Sequence, residues 1–95
     1  MQENSTPIPR RWERQKATIP ISLVLEAAPL HADDSAFTVD VSPRGVSIRT
    51  KLTLVRGEWV AVVVKGKKPR SIPALVVWVQ KDESIPSTFA GLQFY

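Results

Sequence analysis

Cysteine is absent from this chain of 95 residues, so neither a disulfide framework nor a thiolate metal site can hold the fold, which must stand on its core alone. A reducing compartment is compatible with that. Histidine occurs once, at His31, in a segment of turn-forming residues, and it reads as a surface side chain rather than a base or metal ligand. The four glycines are scattered over separate turns and strands, whereas a phosphate-cradling loop needs several ahead of a helix. No apolar run approaches the ~20 residues that span a bilayer, and the polar, proline-containing start has no signal-peptide apolar region. The expectation is therefore a cytoplasmic protein with no membrane insertion. The adjacent carboxylates Asp33 and Asp34 do not by themselves make a metal site. No enzyme, metal or cofactor is expected.

The chain does have positive charge and valine. Its 13 Lys and Arg outnumber 9 Asp and Glu, a balance that suits an anionic partner. The excess is local: residues 44–70 carry eight bases with Glu58 as the one acid, while residues 27–35 carry two acids and no Lys or Arg. One edge of the fold should be positive. The length fits one domain with a single modest core.

Residues 1–9 are polar and include Pro7 and Pro9, and they read as a flexible tail. Residues 10–95 read as one domain. It opens on a basic arm, Arg10-Arg11-Trp12-Glu13-Arg14-Gln15-Lys16. Period-two alternation then marks strands with one buried face. Residues 18–26 place Ile19, Ile21, Leu23 and Leu25 on one side; Pro20 removes a ladder donor and belongs at a strand start or edge. Residues 27–36 read as a turn-rich connection. Next, Thr38, Asp40 and Ser42 alternate with Phe37, Val39 and Val41, which puts the three polar side chains on the open face. Ser42-Pro43-Arg44-Gly45 fits a type I turn, and residues 46–50 resume the alternation to complete a hairpin. Val55-Arg56-Gly57 signals another turn. Residues 58–65 are apolar on both faces, as in a closed or doubly covered sheet. Residues 66–70 form a basic loop, residues 72–81 a further strand, and residues 88–95 the last. The pattern predicts an all-β fold, a small antiparallel barrel with no convincing helix.

Chemistry narrows the ligand. Arginine suits bidentate contact with phosphate and with the O6 and N7 edge of guanine, at about 1–3 kcal/mol per good base contact. A carboxylate does the complementary job for guanine's N1 and N2 hydrogens. An arginine arm plus an outward Asp40 and Ser42 matches a guanine nucleotide better than generic nucleic acid. A DNA or RNA reader would display aromatics among the bases of residues 44–70, and only Trp59 lies there, inside an apolar strand.

Arg10-x-x-x-Arg14, followed by Asp40-x-Ser42-x-x-Gly45, resembles the two-part signature of PilZ domains, bacterial receptors for cyclic di-GMP. The strand at Ile19-Pro20-Ile21-Ser22-Leu23, the run from Gly45 to Thr50, the Val76-Val77-Trp78 strand and the closing Phe89-Ala90-Gly91-Leu92-Gln93-Phe94 are similar too. The resemblance implies an all-β, six-stranded antiparallel barrel with the arginine arm closing over a ligand on its surface, in which Arg10 and Arg14 grip phosphate and guanine, Asp40 and Ser42 bind a guanine, and Gly45 holds the turn. Arg11 would add a phosphate contact. Trp78 would stack beside a base or serve as a barrel aromatic. The arm's own composition, basic, preceded by proline and poor in apolar residues, predicts a relay in which it orders around the dianionic ligand and presents a new surface to a downstream protein partner. Many members continue into a C-terminal helix against the barrel; here the sequence ends at Tyr95 in its last strand, so a bare barrel, or one covered by a partner or second copy, is expected. The alternative is a ligand-independent adaptor with the same fold, for which loss of the arginines or of Asp40 and Ser42 would be expected.

Overall fold

The computed structural model describes residues 14–82 and 87–95. Residues 1–9, Arg10, Arg11 and Trp12 lie outside them, as does most of the break between the last two strands. Among the described residues seven strands follow in order: β1 (Gln15–Lys16), β2 (Pro20–Leu25), β3 (Ala32–Ser42), β4 (Gly45–Thr50), β5 (Trp59–Val64), β6 (Arg70–Asp82) and β7 (Ser87–Phe94). No helix occurs among the described residues.

All pairings are antiparallel, and β3-β2-β5-β6-β7-β4 closes on itself because β4 also pairs with β3. Six strands thus form the barrel, and the two-residue β1 is added outside β3. Closure removes the exposed strand edges that a valine-rich chain would otherwise present. The interior is filled by the alternate residues the sequence marks as apolar. Ile21, Leu23, Ile48, Val60 and Val76 are almost wholly buried, each worth about 1.5–3 kcal/mol of apolar transfer. Pro20 begins β2, opposite Phe37, where its missing donor is tolerated.

Two sequence expectations fail on β3. Residues 32–36 are not part of the connection; the strand already starts at Ala32. Turn-favouring aspartates there are overridden because Asp33 is buried and used as an anchor. Its Oδ1 accepts from the Ser35 amide (2.9 Å) and hydroxyl (2.7 Å), and its Oδ2 from the Thr50 hydroxyl (2.8 Å) and Lys51 amide (2.7 Å). Burial alone would push this carboxyl up; the four donors override it and hold the pKa at about 2.

The second failure concerns the faces. Thr38 does not share the open face with Asp40, and Phe37 is not buried: Thr38 is 4% exposed and Phe37 41%. A register irregularity between Thr38 and Asp40 is the cause, since Thr38 pairs with Ile48 and Asp40 with Ser47. The extra residue, Val39, reverses the inside–outside parity of the strand. Thr38 therefore points inward with Ile48, and Asp40 points outward with Ser47.

Candidate functional site

The bulge at Val39 also fixes the root of the arginine arm. The Val39 carbonyl accepts the Ala17 amide at 3.2 Å, and the Thr38 amide donates to the Ile19 carbonyl at 3.0 Å. The buried Thr38 hydroxyl accepts from the Ile19 amide at 2.8 Å and donates to the Ala17 carbonyl. Together with the pairing of Gln15 and Lys16 against Val41 and Asp40, these bonds set Arg14 on the outer face of β3. Two halves of the chain separated by 26 positions meet there: Arg14 Nη1 donates to Asp40 Oδ1 at 2.8 Å. The same nitrogen donates to Ser47 Oγ at 3.0 Å.

Register extends this contact into a row. Lys16 pairs with Asp40, Asp40 with Ser47, Ser47 with Gly91, and Gly91 with Trp78. Trp78 thus stands three strands round the barrel wall from Asp40, a path of about 14 Å. It is a packed aromatic: its ring meets Phe89 edge-on at 4.9 Å, and its indole occupies the space a side chain on Gly91 would need. Arg49 lies over the other part of this cluster, its guanidinium carbon 5.1 Å from the Phe89 centroid.

Beside Asp40, the β3–β4 turn and neighbouring residues of β6 and β7 frame an open depression of about 210 Å³. Arg14, Ser42, Arg44, Gly45, Val77 and Gln93 are among the residues that line it. Among the described residues, two guanidinium groups and no carboxylate line it, which favours an anion. The Ser42 hydroxyl is engaged locally, accepting the Gly45 amide and donating to the Gly45 carbonyl, both at 3.2 Å. Gly45 has no positive φ. Its requirement is space rather than turn geometry, because a Cβ there would run into the Leu92 carbonyl oxygen of β7.

Of the residues singled out in the sequence, the fold brings Arg14, Asp40, Ser42 and Gly45 onto one patch. It sets Trp78 further along the row, outside the depression, and Arg10 and Arg11 lie outside the described residues. Ser47, Arg44, Val77 and Gln93 were not expected at the site. Ser47 was accessible in principle, since the alternation of residues 45–50 places it with Arg49 on the open face; its pairing with Asp40 depends on the bulge. Val77, which lines the depression, sits at another register irregularity, between Val76 and Trp78. Among the described residues no cluster of three or more histidine or acidic side chains is placed to hold a metal, and no helix is long and apolar enough to cross a membrane.

Comparison with curated proteins finds no match. Among solved structures, the Bacillus subtilis inhibitor of motility, MotI/DgrA, is similar in fold, with a TM-score of 0.69 at 15% identity over 93% of this chain. The chain spans 43% of that protein. The family model described as PilZ domain matches residues 9–95, which takes in the arm, the β3–β4 turn and every strand of the barrel. With an outer-face site joining the first strand's basic arm to that turn, and a closed barrel to carry it, the chain belongs to the PilZ domain family.

Proposed function

We propose that this PilZ domain is a non-catalytic receptor for cyclic di-GMP, read through the arm motif Arg10-x-x-x-Arg14 and the surface motif Asp40-x-Ser42-x-x-Gly45. The observation that carries the reading is the meeting of Arg14 and Asp40 at 2.8 Å on the rim of a depression flanked by a second arginine, Arg44. Asp40 accepts the N1 and N2 hydrogens of a guanine. Arg14, with Arg10 and Arg11, supplies donors to phosphate and to the O6 and N7 edge. Ser42 and Gly45 keep the turn tight and its surface open, and Trp78 borders the far end of the row as a packed aromatic.

The signal passes to a downstream protein partner when the arm orders around the dianionic ligand. Such a segment trades conformational freedom for charge-assisted contacts at the moment of binding. Hydrogen exchange of residues 8–16, measured with and without saturating cyclic di-GMP, tests this relay: slowed exchange is expected, and unchanged exchange in a protein that binds the ligand would refute it. Guanine recognition is tested separately with Asp40→Ala, which should lose affinity for cyclic di-GMP while its weak binding of cyclic di-AMP stays the same. Equal losses for both ligands would remove Asp40 from base reading.

A further inference from the structure

The receptor reading gives Ser47 no role, and it finds Arg14 where a base would have to go. One nitrogen of Arg14 donates at once to Asp40 Oδ1 and Ser47 Oγ. Those acceptors belong to residues directly opposite each other on β3 and β4, so their spacing is set by the ladder. Ser47 is 1% exposed and the Asp40 side chain 22%, whereas the Arg14 side chain is 56% exposed. The acceptor pair is fixed in the barrel, and its occupant is the exposed, exchangeable part.

The occupant has a chemical twin. A guanidinium is a planar carbon carrying N–H donors, and the N1–C2–N2 edge of guanine is the same fragment closed into a ring, with coplanar donors that a carboxylate accepts as a fork. Adenine turns a bare ring nitrogen and a C–H toward that position. Resting on the receptor reading above, we infer that Asp40 and Ser47 form a single acceptor pair for the guanine edge, with Ser47 a specificity-determining residue, and that Arg14 is an internal stand-in which the base displaces. Arg14 also borders the depression beside Arg44 and Ser42. Once displaced it has an adjoining place to meet phosphate, so the exchange gives Arg14 a new anionic partner and leaves the Asp40 carboxylate hydrogen-bonded to the base.

Competition of this kind gives removal of Arg14 opposite effects on two probes. Guanosine carries the reading edge and no phosphate; cyclic di-GMP carries both. The experiment is an NMR-detected titration of the full chain as wild type, Arg14→Ala, and Arg14→Ala combined with Ser47→Ala, against guanosine, adenosine and cyclic di-GMP. Arg14→Ala should bind guanosine about two- to fivefold more tightly than wild type, the range set by the modest strength of exposed ion pairs. The same variant should bind cyclic di-GMP about tenfold or more weakly, through loss of charged hydrogen bonds. Adenosine should gain nothing. Adding Ser47→Ala should lower guanosine affinity about threefold or more relative to Arg14→Ala alone, with a spectrum that remains that of the folded barrel.

Guanosine binding that is unchanged or weaker in Arg14→Ala overturns the exchange, as does an equal gain for adenosine. A folded double variant that keeps the guanosine affinity of Arg14→Ala removes Ser47 from the pair. Because Arg14 is exposed, its variant tests the exchange even if the Ser47 substitution unfolds the chain. A wild-type protein that takes up no cyclic di-GMP refutes the receptor reading itself; one that binds it without the opposite responses refutes only the exchange.

Discussion

Replacing Asp33 by asparagine should cost this barrel a large part of its stability, and the cost should vanish in acid. Asp33 is 6% exposed, and its carboxylate accepts four hydrogen bonds, two from Ser35 within β3 and two, from Thr50 and Lys51, that tie β3 to the end of β4. Its pKa falls from 3.8 to about 2: burial opposes the ionised form, and the Lys51 amide with the donors from Ser35 and Thr50 more than offsets it. A shift of that size corresponds to about 2 kcal/mol of stabilisation by the ionised form. Because the folded value lies below the unfolded one, this contribution is fully present above pH 3.8 and is lost as pH falls through about 2. Asparagine resembles the protonated side chain, and it also turns a donor toward groups that are themselves donors. Urea unfolding at pH 7 should therefore show the variant about 2 kcal/mol less stable, a midpoint shift of about 1–2 M. Repeating the titration toward pH 2 should bring wild type down to the variant. A variant within 0.5 kcal/mol of wild type at pH 7, or a gap of constant size between pH 6 and 2, would refute the anchoring role.

Gly45→Ala should lower stability by about 1–3 kcal/mol, as overpacking against an unyielding group does, because its Cβ meets the Leu92 carbonyl oxygen; an unaltered urea midpoint would contradict this. Gly91→Ala drives a methyl into the Trp78 indole and should change the near-ultraviolet circular dichroism as the Trp78–Phe89 contact opens, whereas an unchanged spectrum would show the indole is not held there. Thr38→Val removes the hydroxyl shared by Ala17 and Ile19, and the loss of a buried partner, about 1–3 kcal/mol, should appear as faster hydrogen exchange at the Ile19 amide. Exchange as slow as in wild type would mean that the arm's root does not depend on Thr38.

The strands were largely legible because the buried side chains alternate as the barrel requires. Ile21 and Leu23, Val60 and Val62, and Ala90 and Leu92 all lie inside, and the Ser42–Gly45 turn carries its own chemistry. What escaped the sequence depends on long-range pairing. Asp33 and Asp34 have the composition of a turn, and only their partners at Thr50, Lys51 and Ser22 make that segment a strand. The bulge at Val39 has no local signal, yet it decides that Thr38 faces in and Asp40 out. Simple alternation reached the right face for Asp40 while mistaking that of Thr38. The same bulge joins Asp40 to Ser47, so a contact at the centre of the patch could not be read from either segment alone.

Calorimetric titration of the purified chain with cyclic di-GMP, beside cyclic di-AMP, GTP and the Arg14→Ala variant, tests the central claim most directly. The account predicts saturable binding that prefers the guanine dinucleotide and is severely weakened in the variant. Absence of binding by a sample shown to be folded, or equal binding of the guanine and adenine dinucleotides, would contradict it.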